Sequence, residues 1–568
     1  MQKIWKVNEN PPKEFLEQFP EYSKLTLQLL WDRGLRTQKE IDEFFNPDYD
    51  EDLHDPFLMK GMKKAVARIL KAAKNKEKIT VFGDYDADGV CGMAILSETF
   101  KTLGSDPGIY IPDRNKEGYG LNLKAVEEIA SKNNKPACRQ AGLIITIDCG
   151  ITDFEEVKLA NKLGMDVIIV DHHAVPDKVP PALSIVNPRQ EGEKYPFREL
   201  AAGGVAFKLA QALLSKSKKA DGWEKWFLDL AAIATVSDRM PLIGENRTLV
   251  KYGLVVLAQT KRLGLQELMK TARVTKLDTY TLGYILGPRL NAAGRMDHAN
   301  TAYELLITES KEEAENLARK LNEKNQSRQR LTDKIIHEIE GRIKIEKNKL
   351  IFEGDENWPI GIVGLIAGRL TDKYYRPSVI FQKMQEISKG SARSIEPFNI
   401  VEAFAKCKKL LVDFGGHPQA AGFTILTENL EKFKKRILEI ANKKIKEEDL
   451  IPVLNIDLEL EAEDLNFDFY EEIQRFAPFG EDNYNPLFLI KGLKASNLRI
   501  VGNNGNHLKC YLTKESRGFP AIGFGFADFC DKIRQGEEID VVFELIVNEW
   551  NGTSELQLKI IDFKKSQL

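Results

Sequence analysis

The segment Val81-Phe82-Gly83-Asp84-Tyr85-Asp86-Ala87-Asp88-Gly89-Val90 constrains the fold of this chain more than any other segment. Three carboxylates alternate with other residues, directly after the apolar run 79–82 and directly before a glycine and a helical pattern. A strand that passes through a glycine-flanked turn into a helix is where open α/β sheets place ligands. Clustered carboxylates repel one another unless a cation neutralises them. We therefore predict a divalent-metal site here, with a solvated acidic loop as the alternative.

Strands and helices alternate between about residues 60 and 260. Helical patterns at 90–103, 122–132 and 153–163 separate short apolar runs that end at Gly, Asp or Pro. The predicted strands are 79–82, 108–111, 143–147, 167–170 and 184–186. This alternation predicts crossover connections and a largely parallel sheet, and therefore an α/β fold.

The rest of the chain divides by pattern. One long helix follows residue 305, opened by a capping box of Ser310 and Glu313. A second α/β unit begins near residue 349, and alternating runs after residue 452 are typical of half-buried strands in a β-barrel of the oligonucleotide-binding (OB) kind. Phe519, Phe524 and Trp550 are candidates for base stacking in this barrel, although the core is the commoner place for each. The predicted domains are a helical segment (1–50), a first α/β domain (51–305), a connecting helix (306–347), a second α/β domain (348–450) and the barrel (451–568).

Composition sets outer limits on location and partners. A chain of 568 residues needs several cores. No apolar run approaches the ~20 residues of a membrane span, and the N-terminus lacks a signal-peptide pattern, so we predict no membrane association. The cysteines, scattered without C-x-x-C spacing, indicate a reducing cytoplasm rather than disulfides or zinc: Cys91, Cys138, Cys149, Cys407, Cys510 and Cys530. A net charge of −3 neither supports nor excludes DNA binding.

Further acids and two histidines follow other predicted strands. Asp148 follows 143–147, Asp171-His172-His173 follows 167–170, and Asp238 ends the apolar run 230–236. The carboxyl ends of neighbouring parallel strands meet in one crevice, so the first two groups should join the opening acids; Asp238 leaves a helix-like run. Several carboxylates with imidazole suit Mn²⁺ or Mg²⁺ and favour Mn²⁺. Their number fits a pair of ions about 3.5–4 Å apart, the arrangement used in phosphodiester hydrolysis.

The same residues carry a family resemblance. Asp84-Tyr85-Asp86-Ala87-Asp88-Gly89, Ile147-Asp148-Cys149-Gly150, Asp171-His172-His173 and Ser237-Asp238 resemble the four motifs of the DHH phosphoesterase superfamily. Within that superfamily, five more segments resemble the RecJ family: Pro112-Asp113-Arg114, Glu117-Gly118-Tyr119-Gly120, Gly287-Pro288-Arg289-Leu290-Asn291-Ala292-Ala293-Gly294-Arg295, Gly390-Ser391-Ala392-Arg393-Ser394 and Gly415-Gly416-His417-Pro418-Gln419-Ala420-Ala421-Gly422-Phe423.

The resemblance implies a fold and an activity. The fold would be α/β, with a parallel-sheet DHH catalytic domain, the connecting helix, a DHH-associated substrate-binding domain and the C-terminal OB-like barrel. The activity would be a single-strand-specific 5′→3′ DNA exonuclease of recombination and repair that uses two divalent ions, Mn²⁺ in preference to Mg²⁺. Its substrate would be single-stranded DNA with a 5′ phosphate. The implied enzyme is cytoplasmic and monomeric, with single-strand-binding protein and a RecQ-type helicase as candidate partners.

The resemblance also implies roles for individual residues. The predicted metal ligands are Asp84, Asp86, Asp88, Asp148, His172, His173 and Asp238. Of these, Asp86, Asp88, Asp148, His173 and Asp238 are also predicted to be catalytic, and Asp171 is predicted to orient an imidazole without touching the metal. Many members of the superfamily have a histidine where this chain has Phe82, so Asp84 is predicted to supply the missing ligand.

A second group of residues is predicted to bind DNA. Ser391 and Arg393 lie in a predicted glycine-flanked loop suited to phosphate, where the resemblance puts the 5′ phosphate. Arg114, Arg289 and Arg295 are candidate phosphate contacts, with an internal salt bridge as the alternative for each. His417 is predicted to lie near the substrate, with a purely structural histidine as the alternative.

Two other classes of function remain as alternatives. Small-substrate phosphoesterases of the superfamily, such as oligoribonucleases, pAp phosphatases and cyclic-dinucleotide hydrolases, are generally shorter and lack the barrel, and a manganese-dependent pyrophosphatase would not need residues 452–566. A catalytically silent DNA-binding scaffold would have lost acids from the motifs, whereas this chain keeps them in all four.

Overall fold

The computed structural model describes residues 3–114, 116–133, 142–217, 222–343, 348–502, 504–550 and 552–566. Two compact units are present, one formed by Asp48–Ile451 and the other by Gln2–Pro47 with Pro452–Leu568. The boundaries predicted at residues 50, 305, 347 and 450 remain predictions.

The strands in chain order are β1 (Ile4–Val7), β2 (Ile79–Gly83), β3 (Gly108–Tyr110), β4 (Gly142–Ile147), β5 (Met165–Val170), β6 (Ser184–Val186), β7 (Ile351–Asp355), β8 (Ser378–Gln382), β9 (Ile387–Arg393), β10 (Leu411–His417), β11 (Ala420–Leu426), β12 (Val453–Ile456), β13 (Leu458–Glu459), β14 (Phe488–Val501), β15 (His507–Lys514), β16 (Arg517–Gly523), β17 (Glu538–Trp550) and β18 (Thr553–Lys565).

The α-helices in chain order are α1 (Lys13–Gln18), α2 (Lys24–Asp32), α3 (Gln38–Phe45), α4 (Met62–Lys74), α5 (Ala87–Thr102), α6 (Leu123–Asn133), α7 (Phe154–Lys162), α8 (Ala202–Leu214), α9 (Leu228–Ser237), α10 (Gly244–Ala258), α11 (Leu263–Thr271), α12 (Gly287–Met296), α13 (Asn300–Ile307), α14 (Lys311–Glu340), α15 (Ile360–Tyr374), α16 (Ile400–Ala405), α17 (Leu430–Lys444) and α18 (Phe467–Gln474).

The first sheet confirms the predicted parallel α/β core. Its strand order is β3-β2-β4-β5-β6, and every pairing is parallel. Alternate residues of one strand enter different cores, Val81 on one face and Phe82 on the other, as the two-residue period of a strand requires. The centre of the sheet is therefore buried on both faces, and its polar residues lie at the strand ends.

The long helix is α14, of 30 residues, which spans about 45 Å. Ser310 caps it by accepting a hydrogen bond from the Glu313 N–H at 3.3 Å. The Glu313 carboxylate accepts from the Thr308 hydroxyl instead of reaching back to the Ser310 N–H, so only half of the predicted capping box is seen. The helix packs against α11, α12 and α13, which precede it in the chain, and against α15, which follows it.

The second sheet has the order β10-β11-β9-β8-β7, with only β7 and β8 parallel. The prediction of a glycine-flanked loop at Ser391 and Arg393 is wrong, because both residues belong to β9. Gly390 is not a turn residue: it lies within β9, where the space for a side chain is already filled. A Cβ at Gly390 would lie 2.4 Å from the ring of Phe423 and 2.7 Å from Cβ of Phe381.

The C-terminal unit contains the predicted barrel. Strands β14-β15-β16-β18-β17 are paired in that order, and the pairing of β14 with β17 closes the barrel. The N-terminal helices belong to this unit, because β1 pairs with β12 and the ring of Phe476 lies 5.8 Å from Phe44 and 5.0 Å from Phe45. Sequence patterns do not indicate this association.

Two observations concern the predicted reducing environment and the predicted absence of membrane association. Five cysteines are free, namely Cys91, Cys149, Cys407, Cys510 and Cys530, and Cys138 lies outside the described residues. Of the helices in the described ranges, none has the length and apolar character needed to cross a membrane.

Candidate metal centre and substrate site

The predicted acids lie at the carboxyl ends of β2, β4 and β5, where each strand continues into a short loop. Asp84 N–H donates to Ile147 O at 3.2 Å, and Asp148 N–H donates to Val170 O at 3.0 Å, so the ladder holds the loops side by side. Gly89 is required because a Cβ there would lie 2.6 Å from the carbonyl oxygen of Asp84. Asp148 has a φ of 61°, a left-handed backbone conformation that residues other than glycine seldom adopt. Strain of this kind is concentrated at functional sites.

All seven predicted ligands converge. Donor atoms within 4.8 Å of one another form three groups, which are Asp84–Asp86–Asp148, Asp148–His172–His173 and Asp88–His172–Asp238. His172 Nε2 lies 3.3 Å from Asp148 Oδ1, 3.5 Å from Asp238 Oδ2 and 3.8 Å from Asp88 Oδ2. Asp238 reaches this cluster from the C-terminal end of α9, which places it with the strand-end acids.

The centre fits a divalent cation on its own chemistry. Asp84 Oδ1, Asp148 Oδ1 and His172 Nε2 are buried without a hydrogen-bond partner among the described residues. Burial, together with neighbouring carboxylates, raises the pKa of Asp84 and Asp148 well above the usual range. Burial and the charge of His173 lower the pKa of His172 to about 3, so its imidazole is neutral and has a lone pair to donate. Buried acceptors that lack partners and repel one another are stabilised by a cation.

Asp171 holds the two histidines. Its Oδ1 accepts from the N–H groups of His172 at 2.7 Å and His173 at 3.2 Å, and its Oδ2 accepts from the Ile151 N–H at 3.1 Å. Oδ1 also bonds His173 Nδ1 at 2.8 Å. Burial by itself raises the pKa of Asp171, but the hydrogen bond and charge of His173 outweigh it and the pKa is lowered. A ring held through Nδ1 has Nε2 left for a metal, which supports the orienting role predicted for Asp171.

We expect Asp171→Asn to lower hydrolysis and apparent Mn²⁺ affinity about 10- to 100-fold, the usual cost of losing a group that orients a metal ligand. The amide has a single acceptor oxygen where the carboxylate meets several N–H donors. Titrating activity with Mn²⁺ measures the effect, and high Mn²⁺ should restore part of the rate. A loss that no Mn²⁺ concentration relieves would argue against the orienting role.

Asp88 differs from the other acids because a helix holds both of its oxygens. Ala202 N–H and Gly203 N–H, at the start of α8, donate to the Asp88 carboxylate at 2.8 and 2.6 Å. Burial and the charge of Asp86 raise the pKa of Asp88 to about 7. A carboxylate has about four acceptor sites, so Asp88 can still offer one to a metal while α8 sets its orientation.

Phe82 lies in the core on one face of the first sheet. Its ring is buried and stacks on Tyr110, with centroids 5.3 Å apart and planes inclined by 13°. Asp84, two residues further on, has an unpaired buried oxygen beside Asp86 and Asp148. The role of Asp84 as a metal ligand in place of Phe82 stays a prediction, and the unpaired buried oxygen is compatible with it.

A group of arginines that form no salt bridge within the described ranges adjoins the metal loop. The guanidinium of Arg114 lies over the Tyr85 ring, 4.9 Å from its centroid. Burial, with the nearby charge of Arg114, lowers the pKa of Arg295 to about 10, while Asp86 acts in the opposite direction. Arg295 Nη1 donates to Gly361 O at 3.2 Å, in the first turn of α15.

Ser391 and Arg393 meet the same helix one turn later. A Cβ at Gly364 would lie 3.2 Å from Ser391 Oγ and 3.6 Å from Arg393 Nη2. Arg393 Nη1 donates to Ser391 Oγ at 3.0 Å. Burial lowers the pKa of Arg393, and no carboxylate of the described residues acts to raise it. Two guanidinium groups, a hydroxyl and an uncapped helix N-terminus therefore face the same region, which is the chemistry of an anion site.

The sheet beside this site presents bare backbone. Gly415, Gly422 and Ser391 are register partners across β10, β11 and β9, and His417, Ala420 and Arg393 form the next row on the same face. A Cβ would meet nothing within 4 Å at Gly415 and only a carbonyl at 4.0 Å at Gly422. His417 is exposed, about 10 Å from Arg393 across two strand spacings.

Arg289 is held away from the metal group. Its Nε donates to Asn322 Oδ1 of α14 at 3.1 Å and its Nη1 donates to Ile285 O at 2.7 Å. It has no carboxylate partner among the described residues, and burial lowers its pKa. The charge of Arg289 acts on Arg328 of α14, which in turn acts on Arg295, so the arginines form a connected positive group.

Three residues at the site were not assigned by sequence reasoning. Tyr119 Oη donates to Asp148 O at 2.8 Å and lies 3.3 Å from His173 Nδ1. Asn291 Oδ1 accepts from the Ala87 N–H at 2.7 Å, between two of the metal-loop acids. Arg328 occupies one position among many charges on α14. Tyr119 and Asn291 lie inside motifs that carry the resemblance, which was a usable signal, but nothing distinguishes Arg328 from its neighbours.

The family models that match this chain come in the same order as its two α/β sheets and its barrel. Family models match residues 78–235 (DHH family, N-terminal domain), 347–443 (DHHA1 domain) and 456–562 (RecJ OB domain). The single-stranded-DNA-specific exonuclease RecJ of Bacillus subtilis is 39% identical over 570 residues, which cover 99% of this chain and 71% of that protein. The chain belongs to the RecJ family. RecJ of Haemophilus influenzae is 30% identical, over 94% of each chain.

Solved structures of RecJ proteins share the whole fold. Thermus thermophilus RecJ in complex with Mn²⁺ superposes with a TM-score of 0.84 at 28% identity, covering 100% of this chain and 80% of that one. The complex of the same protein with Mg²⁺ gives a TM-score of 0.77 at 26% identity, covering 100% and 79%. The RecJ resemblance and the α/β, OB-barrel fold predicted from sequence are both confirmed.

Proposed function

We propose that this chain is a single-strand-specific DNA exonuclease that hydrolyses phosphodiester bonds from the 5′ end, releases nucleotides and acts in recombination and repair. The observation that carries the proposal is the cluster of carboxylate and imidazole donors, several of them buried without a hydrogen-bond partner in the described part of the chain, beside Arg393, whose lowered pKa no described acid opposes. RecJ relatives of full-length similarity support it.

The predicted ligands divide the work of the centre. Two bound Mn²⁺ or Mg²⁺ ions would supply a water of lowered pKa and stabilise charge on the phosphodiester oxygens. Asp84, Asp86 and Asp148 would hold one ion, and Asp88, His172 and Asp238 the other, with Asp148 also close to the histidines. His173 bonds Asp171 through Nδ1, which would leave Nε2 as its ring nitrogen for an ion. The donor set and the Mn²⁺ and Mg²⁺ complexes of Thermus RecJ support this assignment.

The arginine and serine group would bind the 5′ phosphate. A terminal phosphate has an extra negative charge compared with an internal phosphodiester, so buried cations without acid partners favour an end over an internal position. Ser391, Arg393 and Arg295 meet the first two turns of α15, whose N–H groups add to the field. Arg114 and Arg289 extend the positive group, and His417 lies beside the bare strands over which DNA would pass.

The barrel would give additional affinity for single-stranded DNA. Phe524, at the end of β16, is 52% exposed, and its ring meets the His507 ring at 5.2 Å. Phe519 is buried in the barrel core, and the side chain of Trp550 lies outside the described residues. OB barrels bind single strands through aromatic stacking and basic grooves, so Phe524 is the candidate that remains.

We expect Phe524→Ala to weaken single-stranded DNA binding about 5- to 150-fold, the range for one stacked base, and to leave turnover at saturating DNA unchanged. Binding isotherms and initial rates measure the two effects. Tyr470→Phe, which removes only a hydroxyl at the barrel core, is the control and should leave both unchanged. A fall in turnover with unchanged binding would contradict the role given to Phe524.

The remaining parts of the proposal concern the cell. Free thiols at the described cysteines support a reducing cytoplasm. A RecQ-type helicase is a proposed partner because it would unwind duplex into the single strand that this enzyme consumes. Single-strand-binding protein is a proposed partner because it binds the same single strand. A monomer is proposed as the working form.

Substrate structure and polarity test the proposed function. Single-stranded and duplex DNA, labelled at either the 5′ or the 3′ end, are incubated with the enzyme and Mn²⁺. The expected result is early release of short products from the 5′ label, gradual shortening of the 3′-labelled strand, and no attack on blunt duplex. Early release from the 3′ label, or equal rates on duplex, would reject the proposal.

A further inference from the structure

We infer that Tyr280 and Tyr284 form a stacking platform for unpaired bases of the DNA strand whose 5′ end occupies the centre; this inference rests on the proposed function. The two rings are stacked, with centroids 5.1 Å apart and planes inclined by 18°. Tyr284 is 71% exposed and Tyr280 62%, the highest values for large apolar or aromatic side chains in the described part of the chain. Exposed aromatic faces bind single strands without regard to sequence, because every base has a π-face.

The helical segment that carries the tyrosines is pressed against the metal centre. Tyr280 precedes a π-helical stretch, Thr281–Leu286, which continues directly into α12. A Cβ at Gly283 would lie 3.2 Å from Val236 Cγ1, and one at Gly287 would lie 2.3 Å from Ser237 Oγ, immediately before Asp238. The glycines thus let the segment lie on the end of α9 that delivers a predicted metal ligand. π-helical turns are frequent at functional sites.

The tyrosines lie on the same continuous helical segment as residues that reach the metal loop. Asn291 and Arg295 follow Tyr284 by seven and eleven residues, in α12, which continues directly from the π-helical stretch. Asn291 accepts from the Ala87 N–H at 2.7 Å, and Arg295 interacts with Asp86. At 1.5 Å per residue, Tyr284 lies about 16 Å from Arg295 along the axis. A strand held at its 5′ end would therefore reach the tyrosines after a few nucleotides.

The charge before the pair agrees with a polyanion. Arg273 and Lys276, which precede the tyrosines, are both exposed; Lys276 pairs with Asp278 at 3.6 Å, so the net positive charge comes from Arg273. A protein surface could also use two tyrosines, but it would not require their helical segment to continue into contact with the metal loop. The continuity favours DNA, and the experiment separates the two.

The test compares ordinary and abasic DNA. Binding of 5′-phosphorylated single strands to the full-length enzyme is measured by fluorescence anisotropy in chelator, with bases either intact or removed at positions three to eight from the 5′ end. For Tyr280→Ala/Tyr284→Ala we expect affinity for intact DNA to fall about 10- to 100-fold and sensitivity to abasic positions to disappear. Tyr280→Phe/Tyr284→Phe keeps the rings and should behave as wild type, and Trp223→Ala, which removes another exposed aromatic ring of the same unit, should have no effect.

Hydrolysis of a long single strand in Mn²⁺ is measured with the same variants. The alanine pair should raise KM and leave kcat within about twofold. Unchanged affinity in the alanine pair, or an equal loss on intact and abasic DNA, would overturn the stacking platform while wild-type hydrolysis still upheld the proposed function. Failure of the wild type to hydrolyse single strands would instead reject the proposed function itself.

Discussion

Replacing Asp148 with asparagine should reduce hydrolysis of single-stranded DNA by more than about 100-fold, beyond the loss typical of groups that only orient a ligand. Asp148 belongs to two of the three donor groups, and its Oδ1 is buried without a partner in the described structure. Asparagine tolerates the left-handed backbone at this position, so the substitution removes charge without adding strain.

The same substitution should not destabilise the metal-free protein. The pKa of Asp148 is raised by burial and then by Asp88, Asp86, Asp84 and Asp238, which shows that its charge is unfavourable there without a cation. We expect the metal-free melting temperature to stay equal or rise, and the increase caused by Mn²⁺ to shrink. Asp177→Asn, at an exposed acid, is the matched control and should leave hydrolysis and both melting temperatures unchanged. Activity of Asp148→Asn within tenfold of wild type would contradict the metal assignment.

Replacing Arg393 with alanine should remove the preference for a 5′ phosphate. Arg393 is largely buried, donates a hydrogen bond to Ser391 and lies against the first two turns of α15. Burial lowers its pKa, and no acid among the described residues raises it. A charge-assisted hydrogen bond contributes about 1.5–3 kcal/mol, so we expect affinity for 5′-phosphorylated ends to fall about 10- to 100-fold. Affinity for 5′-hydroxyl ends should change little, and binding of matched oligonucleotides with each end measures both.

Two further variants sharpen this test. Arg393→Lys keeps the charge but loses the planar fork, so it should fall between wild type and alanine. Arg436→Ala, which removes an exposed arginine paired with Glu439 on α17, should leave both affinities unchanged. Equal losses on phosphorylated and hydroxyl ends in Arg393→Ala would rule out end recognition by this residue.

Much of the catalytic sheet could be predicted because its signals are local. Short apolar runs that end in Asp or Gly gave β2, β4 and β5, and parallel pairing then required Asp84, Asp148 and Asp171 to meet. Asp238 required more, because it arrives from α9 and only tertiary packing places it 3.5 Å from His172.

Features that depend on packing between distant segments could not be predicted. Gly390 resembles a loop residue in sequence, yet it lies in β9 because the rings of Phe381 and Phe423 fill the space where a side chain would go. The N-terminal helices join the barrel unit through contacts such as Phe45 with Phe476, which are more than 400 positions apart. Local hydrophobic periodicity cannot predict contacts at that separation. Asp88 likewise gave no sign that it accepts hydrogen bonds from the start of α8.

The central claim is that the carboxylate and histidine centre drives hydrolysis through bound divalent ions. In the most direct test, 5′-labelled single-stranded DNA is incubated with enzyme that a chelator has stripped of metal, and Mn²⁺ or Mg²⁺ is then added back. We predict no product in chelator, short 5′-labelled products on addition of Mn²⁺, and a slower reaction with Mg²⁺. Undiminished cleavage in chelator, or no cleavage with either ion, would contradict the claim.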